Sequence, residues 1–221
     1  MTKERDEMKA ERNHFAKEIK KVEAERNNLA KIIKEMKVKA DKVGLNFKEI
    51  KDGDTVLIIV PQAKVAKINT EILKYYITKL GYNAVYITVN KPFSALIDNF
   101  KRNKINTNKL FIIDAVTPVS ALTPRLENAV FAGSPSELTN ISITTTSVIE
   151  KLGTAKILML DSISTLFNYN DFKASINFIH FITNKMKSWK ITFAMVCAKE
   201  MTDENALAHL KSFCDEVIEV K

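Results

Sequence analysis

Residues 55–60 read TVLIIV, residues 61–67 read PQAKVAK, and residues 68–80 read INTEILKYYITKL. The first run is short, continuous and apolar, which predicts a strand buried on both faces. The last predicts a helix over about 68–80, with Gly81 and Asn83 turning the chain into AVYITV (84–89). The same alternation continues to the end of the chain. Pro92 opens a helix to about Arg102, and KLFIID (109–114) is a third apolar strand. A polar, proline-containing stretch follows, then a helix over 145–152 ending at Gly153 and a strand AKILMLD (155–161). A helix over 171–188, the strand KITFAMVCA (190–198), a helix over 203–213 and the strand DEVIEV (215–220) complete the pattern. Continuous apolar strands separated by helices predict an α/β domain: a mostly parallel sheet flanked by helices on both faces.

Composition limits what such a domain can be. The chain has 221 residues, 46% of them hydrophobic, enough for one domain with a real core and an appendage. Only five Gly and five Pro argue against a sandwich of many short strands. No apolar run approaches the roughly 20 residues of a membrane span. The N-terminus is charged from Lys3 onward and lacks an apolar signal segment, which makes the cytoplasm the expected compartment. Cys197 and Cys214 each lie beside an apolar run and read as buried reduced thiols. His14, His180 and His209 have no metal-ligand spacing, and His180, inside NFIHFI, reads as a packed core residue. The net charge of +8 is spread along the chain, as expected of a lysine-rich solvated surface, although weak attraction to nucleic acid is also open.

Residues 1–44 form a different unit. Met8, Phe15, Val22, Leu29, Met36 and Val43 recur every seven residues, and the intervening a positions are Arg12, Ile19, Arg26, Ile33 and Ala40. A sustained heptad with charged outer faces predicts a coiled coil, stopped by Gly44. The apolar positions Met8, Phe15, Ile19, Val22, Leu29, Ile33 and Met36 are its candidate oligomerisation seam. Arg12 and Arg26 weaken a simple parallel homodimer, and Glu18 would there face Glu23. An antiparallel pair, a higher oligomer or an acidic partner helix suits the arginines better; a helix folded back on its own domain is the plainer alternative. The organisation expected is a coiled-coil arm over 1–44 and an α/β domain over 47–221.

The loop between the first strand and helix has the register of a phosphate-binding loop, G-x-x-x-x-G-K-[ST]. Pro61 stands at the first Gly, Ala66 at the second and Ile68 at the Ser/Thr; Lys67 alone is kept. Such loops aim backbone N–H groups at a phosphate, using glycines for positive φ and close approach. Pro61 fixes φ and removes an N–H, Ala66 adds a Cβ, and Ile68 lacks the hydroxyl. With TVLIIV…AVYITV, KLFIID, KILMLDSISTLF and the closing CDEVIEV in order, the chain from about Gly53 to Lys221 resembles the RecA-type ATPases, specifically the KaiC-like branch common in archaea. The resemblance implies a RecA-like fold, with Asp161 at the end of the Walker B strand. It also implies an acidic residue after the second strand to activate water, where this chain has Asn90, Lys91 and Pro92. Asp114, at the end of the third strand, is the nearest substitute and reads as a strand-end cap or backbone ligand.

Lys67 and Asp161 are therefore the vestigial nucleotide-binding candidates. Lys67 can reach a phosphate or pair structurally with Asp161. The combined changes predict a non-catalytic scaffold or regulatory protein with no cofactor and no metal, acting on protein partners or on itself through the arm. Two alternatives stand beside it: a nucleotide-binding protein with an atypical loop, and a DNA- or RNA-binding RecA-like module. Tyr75, Tyr76, Tyr82 and Tyr86, interleaved with lysines, suit base stacking or, more plainly, core and boundary packing. In the long stretch 117–137, Val130 and Phe131 are candidates for a partner contact.

Overall fold

The computed structural model describes residues 18–28, 47, 50–118 and 126–220. The chain divides into two compact units, Met1–Gly44 and Leu45–Lys221. In the first, residues 18–28 are helical and every one is exposed; Ile19 and Val22 are 58% and 60% accessible. The other seam positions, Met8, Phe15, Leu29, Ile33 and Met36, lie outside the described residues, as do the remaining turns of the expected coiled coil.

The second unit is an α/β domain built on a seven-stranded sheet. Its strands are β1 (Thr55–Val60), β2 (Asn83–Thr88), β3 (Leu110–Asp114), β4 (Ala129–Phe131), β5 (Ala155–Leu160), β6 (Thr192–Ala198) and β7 (Glu216–Glu219). They lie side by side in the order β4-β3-β2-β5-β6-β1-β7, and every pairing between them is parallel. The helices are α1 (Val65–Leu73), α2 (Phe93–Arg102), α3 (Leu138–Leu152), α4 (Ile163–Tyr169), α5 (Phe172–Trp189) and α6 (Glu204–Phe213). Strands β1 and β6 are buried along their whole length, as continuous apolar runs covered by helices must be. The edge strand β7 alternates between half-buried and exposed residues. Side-chain caps set several helix starts: Asp171 accepts from Ala174 N–H at 2.8 Å and Asp203 from Ala206 N–H at 2.8 Å. Gly153 closes α3 with φ of 59°, a conformation that favours glycine.

The differences from the sequence reading have physical causes. The predicted helix 68–80 is α1 followed by a π-helical segment, Lys74–Lys79, in which Leu80 N–H reaches back to Tyr75 O at 3.1 Å. Beside it the rings of Phe47 and Tyr75 stack at 4.4 Å, and Tyr75 meets Tyr76 edge-on at 5.3 Å. Tyr76 and Tyr86 are core residues, while Tyr75 and Tyr82 are half-buried. Helix α3 begins seven residues before the predicted 145. Its first half is rich in Ser and Thr, weak helix formers, but burying Ile141 and Thr145 overrides that propensity. Val130 and Phe131 belong to a short strand, β4, paired with β3, rather than to a loop. His180 is exposed, not a core residue: it lies 3.2 Å from Asn184 on the outer face of α5 and packs against the ring of Phe213. Both cysteines are free, Cys197 buried and Cys214 half-buried.

Candidate functional site at the carboxyl edge of the sheet

In open α/β sheets, ligands gather where the carboxyl ends of the parallel strands open into loops. Here that edge is formed by Pro61–Lys67 after β1, Val89–Pro92 after β2, Asp114–Thr117 after β3, Asp161–Ser164 after β5 and Ala198–Thr202 after β6.

The loop after β1 is compact. Pro61 leaves the strand at φ −56°, and Gln62–Lys64 make a single 3-10 turn closed by Lys64 N–H donating to Pro61 O at 2.8 Å. Val65 then begins α1 without a break. Among the described residues positive φ occurs at Gly53, Gly81, Lys104, Gly133, Gly153 and Lys190, none of them in this loop. The Gln62 N–H donates to the Glu200 carboxylate at 2.8 Å. Glu200 reaches it because β6 lies next to β1, with Ala198 level with Val60. This N–H, together with the chain's own Glu200 N–H, holds the Glu200 carboxyl below its ordinary range. Ala66 and Lys67 are exposed, whereas Ile68 is fully buried beneath the helix.

Asp161, 2% exposed, lies two strands away from that loop, with β6 between β5 and β1. At about 4.8 Å per strand, the two strand ends are roughly 10 Å apart. Its side chain turns toward β2 instead. Asp161 Oδ1 accepts from Val89 N–H at 3.0 Å, and Oδ2 lies 2.8 Å from Thr88 Oγ1. The Asn69 amide, on α1, donates to the Asp161 backbone carbonyl at 3.0 Å. Burial pushes the Asp161 carboxyl up to about 6; bonds from Val89, Thr88 and Asn90 and the charge of Lys91 hold it from rising further. No ion pair joins Lys67 to Asp161, so the structure does not bring the two candidates together as a pair.

Asp114 is the second buried carboxylate, with 0% exposure. Its oxygens accept from Phe93 N–H at 2.7 Å, Val116 N–H at 2.8 Å, Thr117 N–H at 2.9 Å and the Thr117 hydroxyl at 2.7 Å. It thus ties the first amide of α2 to the exit of β3, the backbone-binding role expected from its place. Four donors saturate its lone pairs and leave it ill placed as a base. A third network holds Ser164: its hydroxyl accepts from Ala198 N–H at 2.8 Å and from the Thr202 hydroxyl at 3.0 Å. Cys197 donates to Thr202 Oγ1 at 3.2 Å, and burial pushes its thiol up, away from nucleophilic character. Among the described residues no three His, Cys, Asp or Glu side chains converge as metal ligands would.

Thr88, Asn69 and Glu200 were not legible as site residues. Thr88 and Asn69 did carry a faint signal, since each is a polar residue on an otherwise apolar buried face. Glu200 carried none, because only the adjacency of β6 and β1 brings it to Gln62.

A family model described as a family of unknown function (DUF7504) matches residues 91–220, more than half of the chain, and the chain belongs to that family. No curated protein matches. Among solved structures, the KaiC-like protein of the hyperthermophilic archaeon Pyrococcus horikoshii OT3 aligns with a TM-score of 0.54 at 15% identity. The alignment covers 77% of this chain and 72% of that one. At that identity the likeness is one of fold, the RecA/KaiC-like domain that the order of motifs implied.

Proposed function

We propose that this DUF7504 chain is a non-catalytic RecA/KaiC-like module that docks to protein partners or assembles with itself, through an N-terminal coiled coil and the surface of its α/β domain. The observation that carries this reading is the loop Pro61–Lys67. It runs through a tight 3-10 turn straight into a helix, and its Gln62 N–H is engaged by the protein's own Glu200 carboxylate. A phosphate cradle needs several N–H groups turned inward around an anion. A loop of this shape does not fit the phosphates of a nucleoside triphosphate. Ile68, buried in the helix, offers no hydroxyl. Asp161 faces Thr88 and Val89 rather than this loop. The exposed apolar residues Ile19 and Val22, on a helix exposed along its described length, support the docking half of the reading.

Isothermal titration of the full chain with ATP and Mg²⁺ tests the first half. The expected result is no binding at millimolar nucleotide and no phosphate release; micromolar affinity with turnover sinks the proposal. The second half is tested by molecular mass in solution for the full chain beside a chain starting at Phe47. Multimers only of the full chain support the arm as the assembly element, and the same number of subunits in both refutes it.

A further inference from the structure

Around Thr88 the oxygens outnumber the protons if Asp161 is ionised. The Thr88 hydroxyl oxygen lies 2.8 Å from Asp161 Oδ2 and 2.8 Å from the Lys91 carbonyl oxygen, and it accepts Lys91 N–H at 3.2 Å. A hydroxyl has one proton to give. With a carboxylate at Asp161, one of the two close O···O contacts, the buried one to Asp161 or the partly buried one to the Lys91 carbonyl, has no hydrogen in it. With a protonated Asp161 every contact is satisfied. Asp161 donates to Thr88, Thr88 donates to Lys91 O, and Asp161 Oδ1 accepts from Val89 N–H.

We infer that the arrangement around Thr88 belongs to Asp161 in its neutral, protonated form and that ionisation of Asp161 is a latch on the turn Val89–Pro92, released as pH rises. When the proton leaves to solvent, the Thr88 proton turns to the new carboxylate. The Lys91 carbonyl then loses its side-chain partner. The turn is not isolated: the Asn90 side-chain oxygen accepts from the Thr165 hydroxyl at 2.6 Å, so a loosened turn also bears on the start of α4. The carboxyl edge of the sheet thus has two arrangements, tight at lower pH and looser at higher pH.

The groups facing Asp161 set where this happens. From β2 comes Tyr86, whose phenol is held well above its ordinary range by burial and then by the charge of Asp161, and which stays protonated throughout. From the turn comes Lys91, whose charge favours the carboxylate. From α1 comes Asn69, uncharged, bonded to the Asp161 backbone carbonyl. On β6, next to β5, Cys197 has its thiol pushed up by burial and bonds to Thr202 and Ser164 rather than to Asp161. Lys67, on α1, is exposed and makes no ion pair with Asp161. Desolvation therefore dominates, and the carboxyl is pushed up to about 6, the direction that the proton count requires. This inference does not depend on whether the protein binds nucleotide.

The test is an NMR titration of the full chain from pH 4.5 to 8, following the Asp161 side-chain carboxyl carbon and the Lys91 amide. Both are expected to move with one midpoint between pH 5 and 7. In Asp161→Asn, whose amide donates to Thr88 as the acid does, the Lys91 amide stays at its low-pH position. Thr88→Ser, which keeps the hydroxyl, retains the coupled shift. Thr88→Val, similar in shape, leaves Asp161 titrating but shrinks the Lys91 response at least threefold. An Asp161 midpoint below 4.5 overturns the inference. So does a Lys91 titration that persists in Asp161→Asn or is undiminished in Thr88→Val. If Thr88→Val does not fold, the comparison of Thr88→Ser with Asp161→Asn decides alone.

Discussion

Replacing Asp161 by Asn should stabilise the protein at neutral pH and leave it unchanged or slightly less stable in mild acid. The carboxyl is raised from 3.8 to about 6 in the fold. The native state therefore binds more protons than the unfolded state between those values, and stability falls as pH rises through 6. At about 1.4 kcal/mol for each pH unit, the ionised protein at neutral pH is less stable by roughly 3 kcal/mol than if Asp161 stayed neutral. Most of that, about 2 kcal/mol, develops between pH 4.5 and 7.5 and is therefore measurable. Asn keeps the acceptor for Val89 N–H and supplies a donor to Thr88. Its second N–H has no assigned acceptor, which adds a cost independent of pH. The informative quantity is thus the pH dependence of the difference between the two proteins, not the difference at one pH. Urea unfolding followed by the fluorescence of Trp189, the one tryptophan in the chain, gives it at matched protein concentration. The reasoning is refuted if the difference stays within about 0.5 kcal/mol across that range, or if the variant gains stability toward acid instead.

Asp114→Ala removes the shared acceptor of three backbone amides and a hydroxyl. It should cost about 3–5 kcal/mol, since each buried donor left unmatched costs about 1–3 kcal/mol and the losses are not additive; a fall in Tm of less than about 4 °C would contradict that. Cys197 and Cys214 have thiols pushed up by burial, Cys214 to about 12 with help from Asp215. At pH 8 the native protein should react with a disulfide reagent over hours and the unfolded protein within minutes; fast labelling of both thiols in the native state would count against the buried placement. Glu200→Gln removes the carboxylate at Gln62 N–H but leaves the turn Gln62–Lys64 and Pro61 in place. Titration with ATP and Mg²⁺ should still show no binding; binding that appears would mean Glu200, not the loop's shape, excludes phosphate.

The sheet was readable because its signals are long-range in composition but local in sequence. TVLIIV, AVYITV, KILML and TFAMVCA are continuous apolar runs, and only a strand covered on both faces needs such a run. Elements whose formation depends on a neighbour were not readable. The strand β4 is three residues long and exists through its pairing to β3. Helix α4 hides between Asp161 and Asn170, and its one local mark is Ser162 accepting from Thr165 N–H at 3.3 Å. The π-helical segment Lys74–Lys79 has the composition of an ordinary helix; the ring contacts of Tyr75 and Tyr76 accompany it, and no sequence pattern announces them.

The candidate site shows where residue counting stops being enough. Pro61, Ala66 and Ile68 read in the sequence as departures from the phosphate-loop pattern, yet that reading does not say what the loop does instead. In the fold this edge is held by the protein's own groups. The exposed Glu200 carboxylate accepts Gln62 N–H, Asn69 bonds the chain at Asp161, and Thr88 joins Asp161 to the turn after β2. Asp161 is the residue on which the two levels disagree most. By the sequence resemblance it reads as the remaining acid of a nucleotide site and a candidate partner of Lys67. In the fold it is buried, turned away from Lys67 and placed where a proton completes its hydrogen bonds better than a negative charge does. A buried acid that weakens the fold at neutral pH is poorly explained by stability alone. Asn at this position would keep most of the bonds without that cost, so the titratable group itself is what calls for a role.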